Sequence, residues 1–358
     1  MKLLFITQKV DEKDPVLGFF VDWIKEVAKK FDRVEVICLE KGNYELPEKV
    51  KVFSLGKENL RRERFLAKWR YILRFWKIIF RERKNYELVF VHMNQEYVLL
   101  GWWMWKILGK KIYLWRNHKQ GSFLTKLAGV MAEKVFYTSP YSYTARFRNG
   151  VRMPVGIKLK NNQETRYNSR IYRGEILKIL CLGRVAPVKR VEVAIEAAKI
   201  LKKKGVKFQL DIVGDALEKD EEYFDSLKSG VKNGGLEGEV RFWPGVNHEE
   251  ALKIILEHDT LINVTETGSM DKTIFEAGAA GVIVVSSNEA LAGIWPKGWS
   301  EVFRVEATGR GVAEGILSFM NLSGREREII REKVRENIKR EQSLEVLVER
   351  LEKIFREE

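Results

Sequence analysis

Thr267-Gly268-Ser269-Met270-Asp271-Lys272-Thr273-Ile274-Phe275-Glu276-Ala277-Gly278-Ala279-Ala280-Gly281 lies between two short, β-branched apolar runs, 261–264 and 282–285. The pattern predicts strand, tight turn, helix, tight turn and strand. Gly268 allows the first turn to close, and Ser269 is a suitable N-cap for a helix that ends near Gly278. A helix that starts directly after a strand points free N–H groups beyond the sheet edge, where they suit a phosphate. Many α/β turns contain glycine and serine for packing alone, so this anion site needs support from the rest of the chain.

Glu276 follows about two turns after this predicted phosphate position. A carboxylate there reaches the crevice beyond the phosphate, where it can hold ribose hydroxyls. Phosphate and ribose contacts from one helix indicate a nucleotide-sugar pocket.

The composition is that of a globular enzyme. With 358 residues the chain is long enough for two domains, and 45% apolar and 11% aromatic residues exclude a disordered or fibrous protein. No apolar run is long enough to span a bilayer, and Met1 to Thr7 predicts a first strand rather than a signal peptide. Cys38 and Cys181 are isolated, which predicts reduced core thiols in a cytoplasmic protein.

Strand-like runs alternate with amphipathic helices through both halves of the chain. The alternation predicts an α/β fold of two doubly wound, Rossmann-like domains with mostly parallel sheets, residues 1–157 and 175–340, facing across a cleft. Ligands of such sheets bind outside the carboxyl ends of the strands.

Four elements of the second half resemble, in order, those of the family 4 glycosyltransferases, the glycosyl transferases group 1 with GT-B architecture. Gly183-Arg184 followed by Lys189 resembles the G-R-x-x-x-x-K loop of that family, and Ile212-Val213-Gly214-Asp215 its I-V-G-D element. The run 240–246 resembles the V-x-F-x-G turn. The opening stretch resembles the E-x7-E motif, with Glu276 as the second acid.

The resemblance implies a retaining, metal-independent hexosyltransferase that moves a sugar from a nucleotide-diphosphate donor to an acceptor hydroxyl. Arg184 and Lys189 would neutralise the leaving diphosphate, which stabilises charge that develops as the glycosidic bond breaks. The alternative is that both are solvated, but cations are unfavourable at a helix start unless an anion is bound there. The implied donor contacts also include Glu276 at the ribose, backbone amides of Gly268 and Ser269 at the phosphate, and Val246 and Asn247 beside the base.

The stretch departs from the family at one position. Counting back eight residues from Glu276 gives Gly268, where the family has its first acid. Glu266 and Asp271 are out of register by two and three residues. Main-chain groups of Gly268 to Met270 are our working hypothesis for the sugar contact, and Lys272 matches a lysine of many family members.

The N-terminal domain supplies further candidates. His118 ends a predicted strand and matches a family histidine that approaches the donor sugar, while His92 is equally well a loop histidine. Gly18 would allow the first loop to approach the diphosphate. His248 and His258 flank a predicted surface helix and are expected to be solvated. The resemblance also implies that the last helix, 341–358, packs back on the N-terminal domain.

A helix predicted over about 60–83 has a strongly apolar stripe and a basic face. The stripe includes Trp69 and Trp76, and the opposite face has Arg70, Arg74, Lys77 and Arg81. Basic residues with interleaved aromatics suit an anionic membrane surface. The alternative is that the stripe packs on the N-terminal sheet.

The net charge of +14 is compatible with several classes of anionic partner. The leading hypothesis is a cytoplasmic enzyme, peripheral on the inner face of the membrane, that takes a nucleotide-sugar donor and a lipid-linked or cell-surface glycan acceptor for polysaccharide biosynthesis. It needs no cofactor and no metal, since the sequence has no Asp-x-Asp pair or His/Cys cluster. One alternative is another GT-B nucleotide-sugar enzyme, either an epimerase or a soluble synthase. The other is a basic nucleic-acid-binding protein, but the sequence contains no recognised nucleic-acid-binding module.

Overall fold

The computed structural model describes residues 1–59, 65–159, 176–268, 270–292 and 303–357. The chain divides into two compact units. Unit 1 consists of Met1–Gly156 and Leu344–Glu358, and unit 2 of Ile157–Ser343. Each unit contains a parallel sheet with helices, so the predicted pair of Rossmann-like domains is confirmed.

The sheet of unit 1 has seven strands: β1 (Lys2–Val10), β2 (Arg33–Lys41), β3 (Val50–Ser54), β4 (Leu88–His92), β5 (Lys111–Trp115), β6 (Lys134–Tyr137) and β7 (Gly150–Arg152). Their order is β3-β2-β1-β4-β5-β6-β7, and all pairs are parallel. The interior strand β1 is buried on both faces from Leu3 to Ile6, which explains its uninterrupted apolar sequence.

Five helices of unit 1 are described: α1 (Phe19–Lys30), α2 (Phe65–Arg81), α3 (Glu96–Ile107), α4 (Phe123–Met131) and α11 (Leu344–Glu357). α1 and α11 share one core, to which α11 contributes a helical stripe of Leu344, Leu347, Leu351 and Phe355. α2, α3 and α4 share a second core, which includes Phe75, Trp105 and Ala128. Within the described ranges, every helix of the chain is too short or too polar to cross a bilayer.

The sheet of unit 2 has five strands: β8 (Leu177–Leu182), β9 (Phe208–Val213), β10 (Val240–Trp243), β11 (Thr260–Asn263) and β12 (Ile283–Ser286). Their order is β10-β9-β8-β11-β12, again parallel throughout. The described helices are α5 (Val191–Lys203), α6 (Glu221–Asn233), α7 (His248–Ile255), α8 (Lys272–Ala279), α9 (Gly309–Asn321) and α10 (Gly324–Gln342).

Cys38 and Cys181 are free and buried, one in each unit. Burial raises the pKa of each thiol to about 12, so both thiols are neutral near pH 7.

Candidate functional site

The strand order of unit 2 reverses between β8 and β11. In open parallel sheets this switch point leaves a crevice at the carboxyl ends of the strands, because the connecting helices leave on opposite faces. A pocket occupies this position, lined by Gly183, Arg184 and Lys189 after β8 and by Asn263 and Thr265 at the end of β11. The structure therefore brings the two predicted catalytic cations together in one pocket.

Backbone hydrogen bonds hold the loop that contains Arg184. Gly183 N donates to Val213 O over 3.0 Å, and Val185 N donates to Asp215 O over 2.9 Å. The Asp215 carboxylate in turn accepts a 2.9 Å bond from Gly245 N. The loops after β8, β9 and β10 are thus fixed to one another, and the exposed Arg184 side chain extends from a rigid base.

Lys189 forms an ion pair that the sequence did not predict. Its Nζ lies 2.5 Å from Asp271 Oδ2, which also accepts 3.1 Å hydrogen bonds from Asn263 Nδ2 and Thr265 Oγ1. Burial raises the pKa of Asp271, but the charge of Lys189 and the three hydrogen bonds outweigh it and hold the pKa below its ordinary value. The carboxylate is therefore ionised beside the lysine at neutral pH.

The turn between β11 and α8 is longer than predicted. α8 begins at Lys272 with Asp271 at the N-cap position, so the assignment of Ser269 as N-cap is wrong, and Ser269 itself lies outside the described residues. The buried Met270 and the lysine-bound Asp271 occupy the positions before the helix. Lys272 is partly exposed in its first turn.

Gly268 has a φ of 139°, a backbone region that is open to glycine and strained for other residues. The acid that the resemblance leads one to expect at this position would therefore be strained in this turn.

Glu276 lies in the second turn of α8, and its side chain is only 6% exposed. His248 Nε2 lies 2.8 Å from Glu276 Oε1. His248 is the first residue of α7, directly after Asn247, whose side chain caps the helix by accepting from Glu250 N. Val246 and Asn247 are both partly buried in the preceding turn.

The expectation that His248 and His258 are solvated is wrong. His248 binds Glu276, and His258 Nε2 lies 3.1 Å from Asp211 Oδ2 with its side chain 5% exposed. Both rings meet carboxylates from elements distant in sequence, which local periodicity does not reveal. The sequence does place His248 after β10, at the carboxyl edge of the sheet, and this position could have indicated that the ring lies near the site.

The candidates of unit 1 lie at or beyond the carboxyl ends of its strands. His118 is exposed three residues after β5, and its Nδ1 lies 3.0 Å from the backbone of Gln120. His92 is buried among aromatic rings, 4.2 Å from Phe20 and stacked on Trp115 at 6.0 Å between ring centroids. A Cβ on Gly18 would lie 2.6 Å from Asp14 O, so packing of the first loop already requires a glycine here.

The structure distributes the apolar residues of α2 over two faces. Phe75, Ile78 and Ile79 are buried, whereas Trp69, Leu73 and Phe80 are each more exposed than buried. Trp76 is partly buried, and its indole donates a 2.8 Å hydrogen bond to Leu100 O. The predicted basic face is exposed at all four positions: Arg70, Arg74, Lys77 and Arg81.

Comparison with known proteins agrees with this arrangement. Residues 163–295, which contain Arg184, Lys189, His248 and Glu276, match the family model for glycosyl transferases group 1. No curated protein sequence gave a significant match.

Several solved structures share the fold. HepE (Alr3699) from Anabaena, in complex with UDP and glucose, is similar with a TM-score of 0.74 at 16% identity, over 99% of each chain. Sucrose-phosphate synthase (tll1590) from Thermosynechococcus elongatus has a TM-score of 0.75 at 13% identity, over 100% of this chain and 99% of that one. WaaG, a glycosyltransferase involved in lipopolysaccharide biosynthesis, has a TM-score of 0.62 at 13% identity, over 98% of this chain and 99% of that one.

The predicted resemblance to the group 1 glycosyl transferases is thus confirmed by the family match, and the predicted fold by the structural neighbours. The family match supports a glycosyltransferase. Assignment to family 4 stays a prediction.

Proposed function

We propose that this protein is a retaining glycosyltransferase that moves a hexose from a nucleotide-diphosphate donor to a hydroxyl of a lipid-linked or cell-surface glycan. The observation that carries the proposal is the pocket at the switch point of unit 2, where Arg184 and Lys189 meet. Two cations in a pocket at the carboxyl ends of parallel strands suit a diphosphate.

Arg184 and Lys189 would act mainly on the departing diphosphate. Its negative charge grows as the bond to the sugar breaks, so cations that are already in place favour the transition state over the bound donor. The guanidinium of Arg184 can bind two phosphate oxygens at once, and the Lys189 ammonium acts as a point charge. These fixed charges supply the neutralisation that a metal ion supplies elsewhere, and the reaction as proposed takes no cofactor.

Glu276 would bind the ribose, and Val246 and Asn247 would border the base. Glu276 and Asn247 lie in or next to two helices, α8 and α7, that are joined by the bond between Glu276 and His248. HepE has been solved with UDP-glucose as well as with UDP and glucose, which makes UDP-glucose the first donor to test. His118 and Gly18 of unit 1 remain the candidates for contacts to the donor sugar and the diphosphate.

The outer surface of α2, α3 and α4 supports a membrane-bound acceptor. All three helices share one core of unit 1, and large apolar side chains remain exposed on each: Trp69, Leu73, Phe80, Trp103, Ile107, Phe123, Leu124 and Val130. Trp76 and Trp103, with ring centroids 6.2 Å apart, connect α2 to α3. Exposed apolar surface of this extent marks an interaction site, and the adjacent basic row of α2 suits anionic lipid headgroups. The enzyme would thus work at the cytoplasmic face of a membrane.

A donor screen followed by product analysis tests the proposal. UDP-, GDP- and ADP-sugars are added in thermal-shift assays, where a ligand at about 100 times its Kd stabilises the protein by about 2.7 kcal/mol. The donor that binds is then incubated with membranes, and we expect labelled sugar in the lipid extract, with the anomeric configuration of the donor. Absence of binding by all three classes together with absence of transfer would contradict the proposal.

A soluble synthase is the second candidate, because the fold is equally similar to that of sucrose-phosphate synthase. The same incubation separates the two. Label in a water-soluble sugar, formed without membranes, would favour the synthase.

A further inference from the structure

A histidine from one helix holds the buried carboxylate of another. His248 is the first residue of α7, Glu276 lies in α8, and the two are 28 residues apart in sequence. Nε2 of the imidazole lies 2.8 Å from Oε1 of the carboxylate. Because an ionised carboxylate only accepts hydrogen bonds, this contact places a proton on Nε2.

The backbone of His248 is itself fixed. Asn247 caps α7 by accepting a 3.0 Å hydrogen bond from Glu250 N, so the first turn that contains His248 is locked. Its side chain is 23% exposed, whereas that of Glu276 is 6% exposed. The imidazole therefore approaches a buried acid from a more accessible position.

A buried carboxylate needs a partner, and the geometry of that partner decides where its oxygens lie. A free glutamate side chain samples several rotamers, and a ligand that binds it must restrict them at a cost in affinity. The bond from His248 occupies Oε1 and restricts the rotation of the carboxylate. Oε2 is the oxygen that a ligand hydroxyl would use.

We infer that His248 is a positioning residue that orients Glu276 to accept a hydrogen bond from the ribose 2′-hydroxyl of a nucleoside diphosphate. The inference rests on the proposed function and extends it, since it assigns His248 the role of maintaining selectivity for ribose over deoxyribose. Loss of the imidazole should weaken binding of a ribonucleotide, while binding of the matching 2′-deoxynucleotide should change little.

The test compares affinities for UDP, GDP and ADP with those for dUDP, dGDP and dADP by titration calorimetry. Wild-type protein should prefer the ribonucleotide of whichever base it binds. His248→Ala should lose about tenfold in affinity for that ribonucleotide, as expected for one hydrogen bond to a charged group, and stay within about twofold for the deoxynucleotide. His248→Gln should restore most of the selectivity, because its amide nitrogen can take the place of Nε2.

His258 provides a matched control. Its Nε2 also contacts a carboxylate, Asp211 Oδ2 at 3.1 Å, in the same unit. His258→Ala should change the melting temperature but not the ratio of the two affinities. A merely structural role for His248 would lower both affinities together and leave the ratio unchanged, as in the control.

The outcomes separate this inference from the proposed function. Nucleotide binding without ribose selectivity, or selectivity that survives His248→Ala, overturns the role of His248 and leaves the transferase intact. No binding of any of the three ribonucleotides to wild-type protein overturns the proposed function and the inference with it.

Discussion

Lys189 Nζ lies 2.5 Å from Asp271 Oδ2, so the lysine assigned to the donor diphosphate already has an anionic partner in the protein. The pair joins the loop after β8 to the start of α8, across 82 residues of sequence. A diphosphate in this pocket would meet a lysine whose charge is already paired with a carboxylate. Asp271 fixes the position of the ammonium group and partly offsets its positive charge.

The first prediction concerns the stability that this pair provides. The pKa of Asp271 lies below its ordinary value, so its stabilisation is complete above the unfolded-state pKa of about 3.9 and is lost as pH falls through the lower folded-state pKa. Asp271→Asn should lower the free energy of unfolding by about 1 to 3 kcal/mol at pH 7. Urea unfolding at pH 7 and near pH 3 should show that the difference from wild type shrinks in acid.

Asp225→Asn is the control for this measurement. Asp225 also pairs with a lysine, Lys228, but its side chain is 74% exposed compared with 18% for Asp271. Its loss should change stability by less than about 1 kcal/mol. Equal effects of the two substitutions would show that the partly buried pair stabilises the protein no more than an exposed pair does.

The second prediction concerns Arg184 and Lys189, the proposed catalytic cations. Arg184→Ala should lower kcat/KM by roughly 100- to 1,000-fold, the size expected for one preorganised charge-stabilising group. Lys189→Ala alone would leave Asp271 without its cation, so the double variant Lys189→Ala, Asp271→Asn is the cleaner test of the lysine. Near-normal turnover in folded variants would remove both residues from the mechanism.

Lys232→Ala, an exposed position near the end of α6, controls for the loss of one positive charge. Its turnover should equal that of wild type.

The fold was predictable because its determinants are local. Apolar runs such as Leu3 to Ile6 become strands buried on both faces, and the amphipathic segments between them become helices. The stripe of α2 was harder to place, since apolar residues occupy most of the helix circumference. Phe75, Ile78 and Ile79 are the residues that pack in the core. Periodicity alone does not distinguish their face of the helix from the one with Trp69 and Leu73.

The site was predictable only in part, for a related reason. Arg184, Lys189 and Glu276 were identified from short patterns, but their partners Asp271 and His248 come from other loops. Which side chains meet across 82 or 28 residues depends on how the sheet orders its strands, and single-sequence patterns do not contain that information.

The third prediction concerns the membrane surface. Purified protein should cosediment with vesicles that contain anionic lipid, and conversion of Arg70, Arg74, Lys77 and Arg81 to Gln should weaken binding by at least tenfold. Each basic residue near an anionic surface contributes about 1 kcal/mol. Trp69→Ser with Leu73→Ser should weaken binding at high salt as well, because the apolar contribution is not screened.

A matched set on α10 provides the control: Arg325, Lys333, Lys339 and Arg340 are also exposed. Changing these four to Gln removes the same net charge from unit 2 and should leave vesicle binding within about threefold, since none of the four belongs to the proposed contact surface. Failure of the parent protein to bind anionic vesicles would contradict the proposal that this surface binds a membrane.

The fourth prediction concerns metal ions. Because Arg184 and Lys189 supply fixed positive charge, sugar transfer should be unchanged after dialysis against EDTA and should not rise when Mg²⁺ or Mn²⁺ is returned. Activity that is lost with the chelator and restored by one of these ions would contradict the metal-independent mechanism.

The fifth prediction concerns Gly268, the position at which the family pattern has an acid. With φ at 139°, any side chain here is strained, so both Gly268→Ala and Gly268→Glu should destabilise the protein by about 1 to 3 kcal/mol. Gly238→Ala is the control, since its φ lies outside the positive region and a Cβ there would contact nothing within 4 Å. Gly268→Glu should also fail to increase transfer, because the turn that presents an acid to the sugar is not the turn of this chain. A stable and more active Gly268→Glu variant would contradict this expectation, because the loop would then accept the acid of the family pattern.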